Sequence, residues 1–170
     1  SRSLDINEIV YFDIIKKKTA SLISSCCKIA AASVTKQKKI IESVSKIGEN
    51  IGIAFQIKDD LFDYGKKKIG KPRGIDIKEK KLTLPLIYTL NEVDKNKRKW
   101  LIKSIKKYNK DKSRVKEIIS LVKDTGGLNY AIKKMNYYHK IALDDLRKLP
   151  DNQFKESLID MINYVIERDF

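Results

Sequence analysis

Residues 53–64 read Ile-Ala-Phe-Gln-Ile-Lys-Asp-Asp-Leu-Phe-Asp-Tyr, an apolar stretch that carries three carboxylates. Ile53, Ala54, Phe55, Ile57, Leu61 and Phe62 make most of its sides apolar, which predicts a core helix. At about 100° per residue, Asp59 and Asp63 share one face and Asp60 lies a quarter turn away. Three like charges in that setting repel, and burying them unpaired costs several kcal/mol each. They need a cavity, a cation or a basic partner. Mg²⁺ takes oxygen ligands and is commonly held by one or two carboxylates completed by substrate phosphates. Asp59, Asp60 and Asp63 suit that chemistry. The plainer reading, a solvated helix end, fits the apolar flanks poorly. Gly70-Lys71-Pro72-Arg73-Gly74-Ile75-Asp76 follows closely. Its glycines allow backbone to approach a phosphate and its lysine can bind one, so the two stretches together point to a diphosphate.

Outward from this stretch the pattern is helical throughout. Residues 6–33 have apolar side chains three and four apart, with Asp5 or Asn7 as the N-cap. Lys18 and Thr19 fall inside that run, where a local kink would turn both into a cavity. Residues 36–64 form the next long helix. Within it, Gly48 and Gly52 lie on one face and permit close packing, at a propensity cost of about 1 kcal/mol each. Residues 65–81 read as a loop, and Pro85 stands in the first turn of a further helix, where its missing N–H costs little. Helices follow over 94–108, 112–124, 127–148 and 151–168, punctuated by Gly126-Gly127 and Pro150-Asp151. Strand-type alternation and internal repeats are absent from the sequence.

The 170 residues, 42% of them hydrophobic, suit one helical domain with a sizeable core. No run approaches the 18 apolar residues of a membrane span, and no signal peptide is apparent. Cys26 and Cys27 are adjacent and rule out a disulfide framework. Beside the alanines at 30–32 they read as small, buried packing residues of a reduced, cytoplasmic protein. The net charge of +15 invites a nucleic-acid reading. The lysines fall in short runs along the chain, however, without a basic stripe interleaved with aromatics, so nucleic acid is not the expected partner.

Phe55-Gln56-x-x-Asp59-Asp60-x-x-Asp63 resembles the second aspartate-rich motif of the trans-isoprenyl (polyprenyl) diphosphate synthases. The resemblance continues through Gly70-Lys71-x-x-Gly74-x-Asp76 to Lys81-x-Thr83-x-Pro85. Upstream, Tyr11-Phe12-Asp13-Ile14-Ile15-x-x-Lys18-Thr19-Ala20 is similar to the family's Lys-Thr segment. Three ordered motifs are far more specific than a lone pair of aspartates. The family's earlier DDxxD motif and its arginine pair have no match here. Asp144-Asp145 lacks a third aspartate and reads as a solvated face. The chain also opens on Ser1-Arg2-Ser3. The resemblance therefore implies an all-α helical bundle of the isoprenoid-synthase type, with only its C-terminal portion present.

What the resemblance implies about chemistry is a condensation of an allylic prenyl diphosphate with isopentenyl diphosphate, commonly by a homodimer. Asp59 and Asp60 would hold Mg²⁺ on the departing diphosphate, with Asp63 in support. Lys18 and Lys71 would contact diphosphate oxygens and Lys81 would complete the basic side. Thr19 and Gln56 would be polar neighbours of the developing charge, and Phe55 would border the isoprenoid. The resemblance also implies glycine where Lys80 stands. Asp76 reads as a loop tether, and His139 and Trp100 as structural residues. Lacking its N-terminal half, the chain is expected to be inactive alone. The competing reading is a non-catalytic, synthase-like subunit that binds or regulates a partner. The resemblance also implies a lipid product, through which the protein would contact a membrane peripherally.

Overall fold

The computed structural model describes residues 7–65 and 74–167, and among them only helices and connecting turns occur. In chain order these are α1 (Glu8–Ile15), a π-helical turn (Lys16–Ala20), α2 (Ser21–Val34), α3 (Lys38–Phe62), α4 (Ile75–Lys78) and α5 (Leu84–Glu92). They continue with α6 (Lys95–Lys107), α7 (Lys112–Asp124), α8 (Gly127–Arg147) and α9 (Gln153–Glu167). The helices from α3 onward match the sequence reading within two residues, apart from α4, a single turn inside what reads as loop. Asn7 caps α1, its side-chain oxygen accepting the Val10 N–H at 2.9 Å, while Asp5 lies outside the described residues. The helix over 6–33 is interrupted where the kink was expected, by the π turn that carries Lys18 and Thr19.

Contacts gather the chain into two compact units, one built from Ser1–Tyr11 and Asp59–Ile132 and the other from Phe12–Lys58 and Lys133–Asp169. In the first, α5, α6 and α7 pack on one another. Their shared core comprises Tyr64, Ile77, Leu86, Leu90, Leu101, Ile105, Val115, Ile118 and Val122. Burying each large aliphatic side chain stabilises by about 1.5–3 kcal/mol. Asp94 caps α6 and Asp111 caps α7, each accepting two backbone N–H groups between 2.8 and 3.1 Å, a contribution of about 1 kcal/mol per cap. Trp100 packs at the edge of this core under the Arg114 guanidinium, 5.2 Å from its ring.

Lys80 closes the turn after α4 with φ 58°, the left-handed region that favours glycine. An ordinary side chain there costs about 1–2 kcal/mol, of which glycine's greater unfolded-state freedom returns about 0.5–1 kcal/mol. Lys80→Gly is thus expected to raise thermal stability by roughly 0.5–1 kcal/mol, with Lys80→Ala giving no gain.

In the second unit α2 and α3 approach closely. A Cβ on Gly52 would stand 2.6 Å from Ala20 Cα, and one on Gly48 would stand 2.8 Å from Cys27 Sγ. The Ser24 hydroxyl meets that of Ser45 at 2.9 Å across the same pair. This corrects the cysteine reading in part: Cys27 is half-buried against Gly48, but Cys26 is exposed, because consecutive helical residues point about 100° apart. A small core of Ile47, Ala142, Leu143, Leu146 and Ile162 joins α3, α8 and α9. Lys155, buried, ends α8 by donating to the carbonyls of Arg147 and Leu149 at 2.7 Å and to the Asp151 carboxylate at 2.6 Å. Asp144 and Asp145 pair with Arg147 and Lys148, as a solvated helix face would.

His139 has a buried Nε2 without a hydrogen-bond partner among the described residues. Burial holds its imidazole below the ordinary 6.5 and Arg147 pushes the same way, while Asn163, Glu167 and the Ile162 backbone pull upward. A lowered folded-state value means that its stabilising contribution is whole above pH 6.5 and is lost as pH falls. Denaturation curves across that range should show His139→Gln with a shallower acid-side loss than the parent.

Candidate diphosphate and metal site

The last turn of α3 carries Asp59 and Asp60, Asp63 stands in the turn just after it, and Asp60 and Asp63 engage the helices that follow. Asp60 Oδ2 accepts the Tyr11 hydroxyl at 2.8 Å and the Leu84 N–H at 2.9 Å. Leu84 opens α5, whose own N-cap, Thr83, makes no capping hydrogen bond through its side chain. The Thr83 hydroxyl instead meets the buried Tyr64 hydroxyl at 2.6 Å. Asp60 therefore supplies, from another helix, the anion that a helix N-terminus favours. Asp63 does the same for α4. Its Oδ1 accepts the Asp76 N–H at 3.2 Å, and its own carbonyl accepts the Gly74 N–H at 3.1 Å. Gly74, at φ 71°, has no side chain to cap with, and a Cβ there would run into Val115 Cγ1.

The same enclosure shifts the carboxylates. Burial pushes Asp60 up to about 7; the Leu84 N–H and the Tyr11 hydroxyl pull it down, and the charges of Asp76 and Asp59 push it up. Burial likewise raises Asp63, whose Oδ2 is buried with no partner among the described residues. Tyr11, almost wholly buried, is raised well above its ordinary range by burial and then by Asp60. Tyr11→Phe should cost about 1.5–3 kcal/mol, the range for a hydrogen bond to a charged group. It should also raise the Asp60 midpoint in a carboxylate-resolved NMR titration, because the lost hydroxyl favours the ionised form.

Asp59 differs from both. It is half-buried and makes no hydrogen bond or ion pair among the described residues, and both bonds to Asp60 fall on Oδ2. The oxygens open to a cation are therefore those of Asp59 and Asp60 Oδ1. Among the described residues no three His, Cys, Asp or Glu side chains gather closely enough to hold a metal by themselves. A Mg²⁺ completed by substrate phosphates needs only one or two protein carboxylates. The donor set, with its raised carboxylates and an orphaned buried oxygen, fits that ion.

Lys81 stands in the same unit, exposed, with its ammonium 2.6 Å from Glu79 and 3.2 Å from Asp76. Asp76 thus tethers its loop, as expected. Lys71 lies outside the described residues. Lys18, Thr19, Phe55 and Gln56 belong to the other unit. Lys18 is exposed on the π turn, Thr19 and Phe55 are half-buried, and Gln56 is buried on α3. The sequence reading gave no role to Tyr11, Tyr64 or Thr83. Tyr11 and Thr83 stand inside quoted motif stretches, which was the one available signal.

The polyprenyl synthetase family profile matches residues 1–122. The chain is 32% identical over 168 residues to a geranylfarnesyl diphosphate synthase of Aeropyrum pernix, a match spanning 96% of this chain and 52% of the relative. Among solved structures, a geranylgeranyl pyrophosphate synthase from Bacteroides thetaiotaomicron is 41% identical with a TM-score of 0.86, over 95% of this chain and 54% of that one. A polyprenyl synthase from Caulobacter crescentus CB15, complexed with calcium and isoprenyl diphosphate, is 27% identical with a TM-score of 0.89, over 99% and 52%. The chain spans about half the length of the curated relatives that it matches. With the helical architecture and the ordered motifs, these likenesses establish that the chain belongs to the polyprenyl synthetase family.

Proposed function

We propose that the chain works in the head-to-tail condensation of an allylic prenyl diphosphate with isopentenyl diphosphate. The observation that carries this reading is the Asp59 carboxylate, without a partner among the described residues, beside the anchored Asp60 at the end of α3. Breaking the allylic C–O bond leaves a carbocation and pyrophosphate, and the isopentenyl double bond then attacks the cation. Mg²⁺, when bound, supplies a Lewis acid and template for the departing diphosphate. Asp59, with Asp60 Oδ1, would hold it, and Asp63 would support the turn from behind. Lys18, Lys71 and Lys81 would bind diphosphate oxygens, so that the charge develops against fixed cations. Lys81 must leave Glu79 to do so. Thr19 and Gln56 would offer polar contacts near the reacting carbon, and Phe55 would line the hydrocarbon side. Released pyrophosphate is a fitting acceptor for the proton lost at the end. Homodimeric assembly, a cytoplasmic location and dependence on the portion of the fold that this chain does not span belong to the same proposal.

Titration calorimetry with inorganic pyrophosphate, with and without Mg²⁺, tests the reading. Binding that requires Mg²⁺ and is lost in Asp59→Ala is the expected result. Mg²⁺-independent behaviour, or equal binding by the variant, would instead favour a synthase-like subunit without catalytic chemistry.

A further inference from the structure

The lysines are densest on the consecutive helices α6 and α7. Residues 95–123 hold twelve Lys and Arg against two carboxylates, much of the chain's net charge of +15. Leu101, Ser104 and Ile105 form the buried side of α6. Lys95, Lys99, Lys103 and Lys106 recur at intervals of four and three on the opposite side, and all are exposed. On α7, Lys112, Lys116 and Lys123 are likewise exposed, away from buried Val115, Ile118 and Val122. None of these seven lysines makes an ion pair among the described residues.

The two arginines are spent within the protein. Arg98 donates to the Leu90 carbonyl at 3.1 Å, and Arg114 pairs with Glu117 at 3.0 Å while lying over Trp100. The free cations of this face are therefore lysines. Arginine forks read bases and clamp phosphates in fixed geometry, whereas lysine is a mobile point charge suited to a diffuse sheet of phosphates. Aromatic platforms for single-stranded bases are also lacking: Tyr108 is exposed in part, and the Arg114 guanidinium lies over its ring at 5.7 Å.

We propose that the α6–α7 face binds the surface of an anionic lipid bilayer. This inference goes beyond the prenyl-transfer reading and stands without it, since it uses only surface charge. Each lysine brought near an anionic bilayer contributes roughly a fivefold gain in partition, and the gain fades within a Debye length.

Co-sedimentation of the purified chain with vesicles tests it. The parent should pellet with equal parts phosphatidylglycerol and phosphatidylcholine, stay in solution with phosphatidylcholine alone, and be released by salt but not by millimolar inorganic phosphate. Lys99→Gln, Lys103→Gln and Lys106→Gln combined should weaken partition roughly a hundredfold, while leaving the circular dichroism melt in place. Equal sedimentation with both vesicle types overturns the proposal, as does undiminished binding by the triple variant. A third overturning result is tight binding of a single-stranded RNA oligomer at a salt concentration that already releases the vesicles.

Discussion

Asp59→Ala is expected to lower prenyl transfer by about a hundredfold to a thousandfold, the scale seen when one preorganised electrostatic contact to a developing charge is removed. The measurement is single-turnover product formation by protein supplied with the portion of the fold that this chain does not span. Thermal stability should hold or rise slightly, because Asp59 has no hydrogen bond to lose among the described residues and its charge pushes Asp60 up. Asp60→Ala should differ in kind. It removes the acceptor of both the Tyr11 hydroxyl and the Leu84 N–H, so it should lose stability along with activity. Parent-like turnover by Asp59→Ala would remove Asp59 from the site.

The second large effect is steric. Gly52→Val should destabilise the chain by about 3 kcal/mol or more, since overpacking a tight contact typically costs 1–3 kcal/mol and here the obstacle is backbone. A Cβ on Gly52 meets the Cα of Ala20 at 2.6 Å, and Ala20 is wholly buried. The only relief is to push α3 away from the π turn. Denaturant midpoints should fall accordingly, and pyrophosphate affinity should fall further than stability alone requires if Lys18 and Thr19 act from that turn. Gly48→Ala is the milder control, because its nearest obstacle, at 2.8 Å, is the Cys27 thiol, a side chain that can rotate, and its nearest backbone atom, the Ile23 carbonyl oxygen, stands at 3.0 Å instead of 2.6 Å.

These two positions show what could be read in the chain beforehand. Apolar spacing gave the long helices, and Gly48 and Gly52 announced the close pair, because both signals are local and periodic. The interruption at residues 16–20 was legible only as a kink; its π geometry, in a turn whose Ala20 packs against Gly52, is nothing that periodicity registers. The aspartates were legible as a cluster but not as three different groups. Asp60 and Asp63 are claimed by backbone N–H groups 24 and 13 residues away, and no spacing rule points to a donor at such a distance. Lys81 was read as a cation for substrate, yet its ammonium rests on Glu79 and Asp76. Cys26 was misread as buried alongside Cys27 because adjacent helical positions face different ways.

The two units interleave along the chain. One takes its first residues from before Tyr11 and the rest from Asp59–Ile132, and the other needs both Phe12–Lys58 and Lys133–Asp169. The Glu8 carboxylate accepts the Tyr130 hydroxyl 122 residues later, and Lys58 donates to the Ile166 carbonyl 108 residues later. Neither unit can therefore be completed during early synthesis. On the ribosome, α1, α2 and most of α3 must wait, with apolar faces uncovered, until α8 and α9 have emerged. While residues 12–132 are being made, this part of the chain is exposed to chaperones and to aggregation. Premature termination between Asp59 and Ile132 would leave two unfinished cores where a chain of consecutive domains would leave one.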